Sequence, residues 1–231
     1  MTRVLVEAVR STSTVTDNMK ELAAHIEHTC LDPKAPLSRI HEMHDEMLQF
    51  GFRGICVSPY FVKAAAQKAN GSDYKVVTVV DFPLGQSHTM SKVESIKKAA
   101  DQGADAVDIV INYLAAINED WDYLKDEINT VVHSGHMRNL EVKLILESHN
   151  YSSRVLRKVL DICLEAKPDY LKTNTGTGNN VNTPDQVKLI QRLTKSAIPI
   201  KASGGIRSVD QAKELIDMGV ELIGASSATR W

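Results

Sequence analysis

The chain has 231 residues, 43% of them hydrophobic and 24% charged, a length and mixture that suit one globular domain and exclude a disordered or fibrous chain. Its 27 basic and 29 acidic residues nearly cancel, so no global field draws it to nucleic acid or to an anionic membrane, and any anion site must be local. Cys30, Cys56 and Cys163 are odd in number and lack CxxC spacing, which argues against a disulfide framework or structural zinc and favours a reducing cytoplasm.

The stretch from Val4 to Val9 is short and broken by Glu7, too small for a signal-peptide core or a membrane span, and residues 1–23 read as an extension of a single domain covering 1–231. A first strand is expected around Ile26. Leu37, Ile40, Met47 and Leu48 then recur at helical spacing and stop at Gly51, where a left-handed residue ends a helix. Gly54 to Val57 reads as the second strand, and Gly71 closes the next helix. Tyr74 to Phe82, YKVVTVVDF, is the clearest strand, too rich in valine for a good helix and ended by Pro83 and Gly85. Ser91 with Glu94 has capping-box spacing around Val93, Ile96 and Ala100, with Gly103 as the stop. Further strands are expected at Ala106 to Ile111, Val142 to Glu147, Tyr170 to Thr173, Ile198 to Ala202 and Leu222 to Gly224. Thr183 before Pro184 and Ser208 with Gln211 mark helix starts, the latter opening a helix through Val209, Ala212, Leu215 and Ile216 that Gly219 ends. Eight strands alternating with helices predict an α/β fold, a (β/α)8 TIM barrel. Only four residues follow Ser227, so the eighth outer helix is expected to be missing or truncated, with a frayed last turn, and the groove it leaves to be covered by the N-terminal segment or a neighbouring subunit.

Catalytic residues in such a barrel lie at the C-terminal mouth. Glu27 and His28 after the first strand, Asp81, Asp108, Asn112 and Glu147 are placed there, with Lys172 in YLKTNTG and Lys201 in PIKASGG on adjacent strands. Two ammonium groups that close repel, and repulsion together with burial leaves one amine neutral and nucleophilic; the bland reading makes them solvated lysines or partners of Asp108 or Glu147. Lys75 and Lys143, early in their strands, are assigned to the opposite, stabilising end. Asp108, inside AVDIVIN, is expensive to bury unpaired and is expected beside a lysine, as a proton shuttle or merely as a neutraliser of Lys201. The turns Ser203, Gly204, Gly205 and Gly224, Ser226, Ser227 have the donors and the backbone freedom of a phosphate site, to which Arg207 could add charge. Gly176 and Gly178 lack the third glycine of a dinucleotide fingerprint. His41 and His44 read as a solvated helix face rather than metal ligands, His28 and His88 near the mouth stay unassigned, and no GxSxG, HExxH or P-loop occurs.

The ordered segments IEHTCLDP, GICVSPYFV, VVTVVDFPLG, GADAVDIVIN, VKLILES, YLKTNTG, IKASGGIR and IGASS, from about His25 to Ser227, resemble the deoxyribose-phosphate aldolases. The resemblance implies a class I aldolase, independent of metal and cofactor, that interconverts 2-deoxy-D-ribose 5-phosphate with D-glyceraldehyde 3-phosphate and acetaldehyde. It implies Lys172 as the Schiff-base lysine, Lys201 as the lysine that perturbs it and Asp108 as the proton-transfer group, with Glu27, Thr175, Gly176 and the two donor-rich turns around a phosphosugar substrate. Glu27 stands where this family usually has aspartate, and Thr177 where many members carry lysine or phenylalanine. Another phosphosugar lyase and a non-catalytic phosphosugar-binding regulatory barrel are the alternatives. Neither nucleic acid nor membrane is expected as a partner, association into homo-oligomers through the outer helices is compatible with the fold, and the short C-terminus leads to the expectation of a weak phosphate grip.

Overall fold

Val76, Val77, Val79 and Val80 are all buried, so both faces of the valine-rich run are covered, as a parallel strand wrapped by helices requires. The same holds for the other apolar runs. The computed structural model describes residues 17–177 and 184–231. In them eight strands, β1 (Ile26–Cys30), β2 (Gly54–Val57), β3 (Lys75–Val80), β4 (Ala106–Val110), β5 (Glu141–Ile145), β6 (Tyr170–Lys172), β7 (Ile200–Ser203) and β8 (Leu222–Ala225), close into a parallel barrel in sequence order. The expected TIM barrel is therefore observed. Helices α2 (Ser38–Phe50), α3 (Val62–Ala69), α4 (Thr89–Asp101), α5 (Tyr113–Ile117), α6 (Trp121–His136), α7 (Ser153–Ala166), α8 (Pro184–Thr194) and α9 (Val209–Asp217) follow the first seven strands, and α1 (Asp17–Ala23) precedes them.

Local details depart from expectation for identifiable reasons. In α2 the buried stripe is Ile40, Met43 and Met47, while Leu37 and Leu48 are exposed, because Leu37 is the residue before the helix and Leu48 lies one position round from the stripe. Ser91 does not cap α4: the helix begins two residues earlier, and the Ser91 N–H bonds to the His88 carbonyl. Ser208 Oγ does accept from the Gln211 N–H, at 3.2 Å, but the return bond goes from the Arg207 N–H to Gln211 Oε1. Gly51, expected as a stop, has φ +72° and returns its N–H to Met47. Thr183, Gly178 and the Val4–Val9 stretch lie outside the described residues.

After β8 the described chain forms only a 3-10 turn, Ala228–Arg230. That turn is anchored rather than frayed: Ala228 is buried, and the Trp231 indole donates to Ser227 Oγ at 3.0 Å. The other end of the chain covers the groove between α9 and α2. Helix α1 packs against both α9 and α2 and sends Met19, Leu22 and Ala23 into the core. Seven residues make a poor helix in isolation, so α1 owes its structure to this burial. Leu22→Ala is accordingly expected to cost about 2–4 kcal/mol of stability. Urea unfolding followed by circular dichroism measures it, and a loss within about 0.5 kcal/mol, the scale of a surface change, would show that α1 does not close the barrel's outer layer.

Candidate active site

Strand register builds the site. Lys172, the last residue of β6, is the register partner of Lys201 on β7, and Asp108 on β4 is the partner of Lys143 on β5. All four point into the barrel. Lys172 Nζ donates to Asp108 Oδ2 at 2.9 Å and Lys201 Nζ donates to the same oxygen at 2.5 Å, so one carboxylate oxygen is shared by two lysines. Lys143 Nζ lies 3.4 Å from the other oxygen, Oδ1. Lys201 also donates to Glu27 Oε2, while Glu27 Oε1 accepts from Arg53 at 2.7 Å and lies 3.2 Å from Lys143.

Asp108, Glu27, Lys143 and Lys201 have no exposed surface, and burial by itself opposes every one of their charges. Their mutual contacts win. For Asp108, Lys172, Lys201 and Lys143 outweigh burial and hold the carboxyl far below the usual carboxylate range. Burial would discharge Lys201, but Asp108 and Glu27 raise its pKa well above that of an ordinary lysine. Lys143 is raised for the same reason, by Glu27 and Asp108. Glu27 is lowered by Lys143 and Lys201 against the opposing effects of burial and of Asp108.

Above this cluster the barrel opens into a cavity of about 480 Å³. Lys172 lies at its floor, and Thr175, Gly176, Ser203, Gly204, Gly205, Gly224 and Ser226 line it. The turns after β6 and β7 meet closely: a Cβ on Gly176 would stand 3.3 Å from Gly204 Cα, and Gly176 itself has φ +81°. Glycine is needed there on both counts. The Thr175 hydroxyl pairs with that of Thr177 at 2.8 Å, and the Thr175 N–H is held by buried Glu147. Ser203 Oγ donates to the Asn174 carbonyl at 2.7 Å, tying the two turns together.

A buried amine sharing a carboxylate with a second lysine at the floor of a barrel-mouth cavity fits aldol chemistry, and the comparisons agree. The profile of the DeoC/LacD family aldolase matches residues 13–226. The chain belongs to this family. It is 37% identical to a deoxyribose-phosphate aldolase of Thermococcus kodakarensis over 92% of this chain and 96% of the relative, and 35% identical to one of Treponema denticola over 90% and 96%. Among solved structures it resembles an aldolase designated QR15, with a TM-score of 0.85 at 33% identity over 90% of this chain and 92% of that one. The tetrameric deoxyribose phosphate aldolase of Aeropyrum pernix gives a TM-score of 0.85 at 28% identity, over 92% and 89%.

Several positions in this aldolase differ from the sequence reading. Glu27 does not follow β1 and does not line the cavity; it is the second residue of the strand, beneath Lys201, because β1 already pairs with β8 at Ile26 and with β2 at Glu27. His28, next along the strand, therefore faces outward, where it is buried and bonds Glu46 of α2 at 2.7 Å. Ser227 is turned away, its hydroxyl engaged by Trp231. Lys201 and Asp108 join Lys172 but lie behind the cavity wall rather than in it. Arg207 is exposed and outside the cavity, whose arginines are Arg39 and Arg230.

Lys143 is the largest correction. Read as a residue of the stabilising end, it is level with Asp108, since each is the third residue of its strand and the two strands pair without offset. Lys75 keeps its expected place at the base, 2.6 Å from Glu141 and 40% exposed. Among the described residues no cluster of three or more His, Cys, Asp or Glu could hold a metal ion.

The base gives a pH dependence. Burial opposes the charge of Glu141, but Lys143, Arg53 and Lys75 lower its pKa from 4.5 to about 2. A carboxyl depressed on folding contributes stability that is full above its unfolded pKa and is lost as pH falls through the folded one. The contribution of Glu141, on the order of 3 kcal/mol, should therefore fade between about pH 4.5 and 2. In Glu141→Gln this part of the acid limb should flatten, with lower stability at pH 7. Chemical denaturation across pH 2 to 7 checks it; parallel curves for the two proteins would refute the assignment.

Proposed function

We propose that this aldolase reversibly cleaves 2-deoxy-D-ribose 5-phosphate to D-glyceraldehyde 3-phosphate and acetaldehyde through a Schiff base on Lys172. The observation that carries the reading is that Lys172 is the lysine of the buried cluster whose amine reaches the cavity. Its bond to Asp108, at 2.9 Å, supports its role, because it ties the amine to the carboxylate oxygen that Lys201 also bonds. The names of the relatives, all deoxyribose-phosphate aldolases, support the substrate.

In this mechanism the neutral Lys172 amine attacks C1 of the open-chain aldehyde, and the resulting carbinolamine loses water to give an iminium ion. The iminium draws in the electrons of the C2–C3 bond as the C3 hydroxyl gives up its proton, which releases glyceraldehyde 3-phosphate and leaves an enamine. Protonation at C2 and hydrolysis free acetaldehyde and restore Lys172. Asp108, bonded to Lys172 and backed by Lys201, is the group placed to relay protons to and from the nitrogen. We also assign the chain to one domain over 1–231, whose expected N-terminal extension, 1–23, joins the barrel from Asp17 through α1, working in the cytoplasm, where Cys30, Cys56 and Cys163 stay free, and associating into homo-oligomers as the Aeropyrum relative does. No described helix is long and apolar enough to cross a membrane.

Acetaldehyde with borohydride is expected to leave an ethyl group on Lys172, located by peptide mass spectrometry, alongside cleavage of deoxyribose 5-phosphate by the untreated protein. Label confined to other lysines would remove Lys172 from the mechanism. For Lys201→Leu, loss of the neighbouring positive charge is expected to lower kcat/KM at neutral pH by about 100-fold and to move the rising limb of the pH–rate profile to higher pH. An unchanged profile in a folded variant would make Lys201 purely structural.

A further inference from the structure

The cavity is lined by three basic side chains, Lys172, Arg39 and Arg230, and only one of them is available to an anion. Lys172 is held by Asp108. Arg39 is spent on its own helix: Nη1 donates to Glu42 at 3.1 Å and to Glu46 at 2.9 Å, and Nη2 donates to Glu46 at 2.8 Å and sits 3.1 Å from His28 Nε2. Its charge is matched and both Nη groups are occupied. Arg230 is exposed and forms no ion pair with any described residue.

The turn carrying Arg230 is nonetheless fixed on both sides. Ala228 is buried in the core, and Trp231 packs against that core while its indole donates to Ser227. Ser226, four residues earlier, and Gly224 line the same cavity, as do Gly204 and Gly205 of the β7 turn, both at positive φ. This is the edge where a barrel usually meets phosphate, and where a helix after β8 would normally lend its N-terminal dipole. Arg230 reaches that edge from the 3-10 turn Ala228–Arg230.

We propose that Arg230 is the phosphate-recognising cation of this site and sets its preference for a phosphorylated over an unphosphorylated sugar. The proposal rests on the phosphosugar reading above and adds to it a residue and a specificity. A guanidinium matches two oxygens of a phosphate monoester at once, whereas an ammonium presents a point charge.

The test compares the unsubstituted protein with Arg230→Gln and Arg230→Lys. The ratio of kcat/KM for deoxyribose 5-phosphate to that for deoxyribose should fall about tenfold or more in Arg230→Gln, recover in part in Arg230→Lys, and converge among the three at high salt. An unchanged ratio, or equal loss on both sugars, overturns the proposal. Calorimetric titration with inorganic phosphate separates it from the reading beneath it, because no turnover is needed. Binding at least about tenfold weaker in Arg230→Gln supports Arg230 even if deoxyribose 5-phosphate proves not to be the substrate; equal affinities, or no phosphate binding by the unsubstituted protein, overturn it.

Discussion

Asp108 Oδ2 is the atom on which the rest of this molecule turns. It accepts from Lys172 and Lys201 in a place that water does not reach, and a buried carboxylate of this kind is tolerable only while its partners stay within hydrogen-bond range. Desolvating each ion costs several kcal/mol, so the cluster is a poor source of stability and a strong constraint on geometry. The barrel satisfies that constraint through register. Pairing of Lys172 with Lys201, and of Asp108 with Lys143, sets the heights of four charges using backbone hydrogen bonds alone.

Space for these long side chains comes from the strands that carry none. Glu27 is flanked in register by Gly54 on β2 and Gly224 on β8. A Cβ on Gly224 would stand 3.2 Å from Lys201 Cε and 3.0 Å from Ser203 Cβ, pressing on the lysine and on the cavity wall together. At the mouth, the Phe82 ring lies 6.0 Å from Lys172 Nζ and limits solvent on one side. Its loop is pinned by Lys92, a fully buried lysine of α4 that donates to the Gly85 and Val110 carbonyls at 3.0 and 2.9 Å and pairs with Glu127 at 3.0 Å. The carbonyl partners matter: they satisfy the ammonium without adding charge.

How much of this could be read from the sequence depends on the range of the interaction. The strands, the barrel and the meeting of Lys172, Lys201 and Asp108 were legible because they follow from apolar runs, from their count and from position at a strand's end. Lys143 was misplaced since depth in a barrel is set by the pairing between strands, which no single strand records. Glu27 and His28 were both placed at the mouth; a one-residue difference in where β1 begins sends one inward and the other to α2. Arg230 and Arg39 had no local signal at all, one lying in a terminal turn and the other near the start of a helix, so that only closure of the barrel brings them to one cavity. The N-terminal segment was legible as one candidate cover for the outer groove, beside a neighbouring subunit, but helix α1 itself was not read, because its apolar residues Met19, Leu22 and Ala23 are too few to show a period.

Glu27 shows why the two ends of this barrel are not independent. Its Oε2 accepts from Lys201, which bonds the same oxygen of Asp108 as Lys172, and its Oε1 accepts from Arg53, which in turn donates to Glu141 beside Lys75 at 2.8 Å. Charged contacts thus run unbroken from the exposed base to the floor of the cavity. The length of the glutamate side chain lets a single carboxylate serve Arg53 and Lys201 at once. Arg53 is 18% exposed and keeps its charge, with burial outweighed by Glu141 and Glu27, so the base fixes Glu27 as an anion and Glu27 in turn fixes Lys201 as a cation. In this barrel the face that normally supplies only stability therefore also sets the electrostatics behind Lys172.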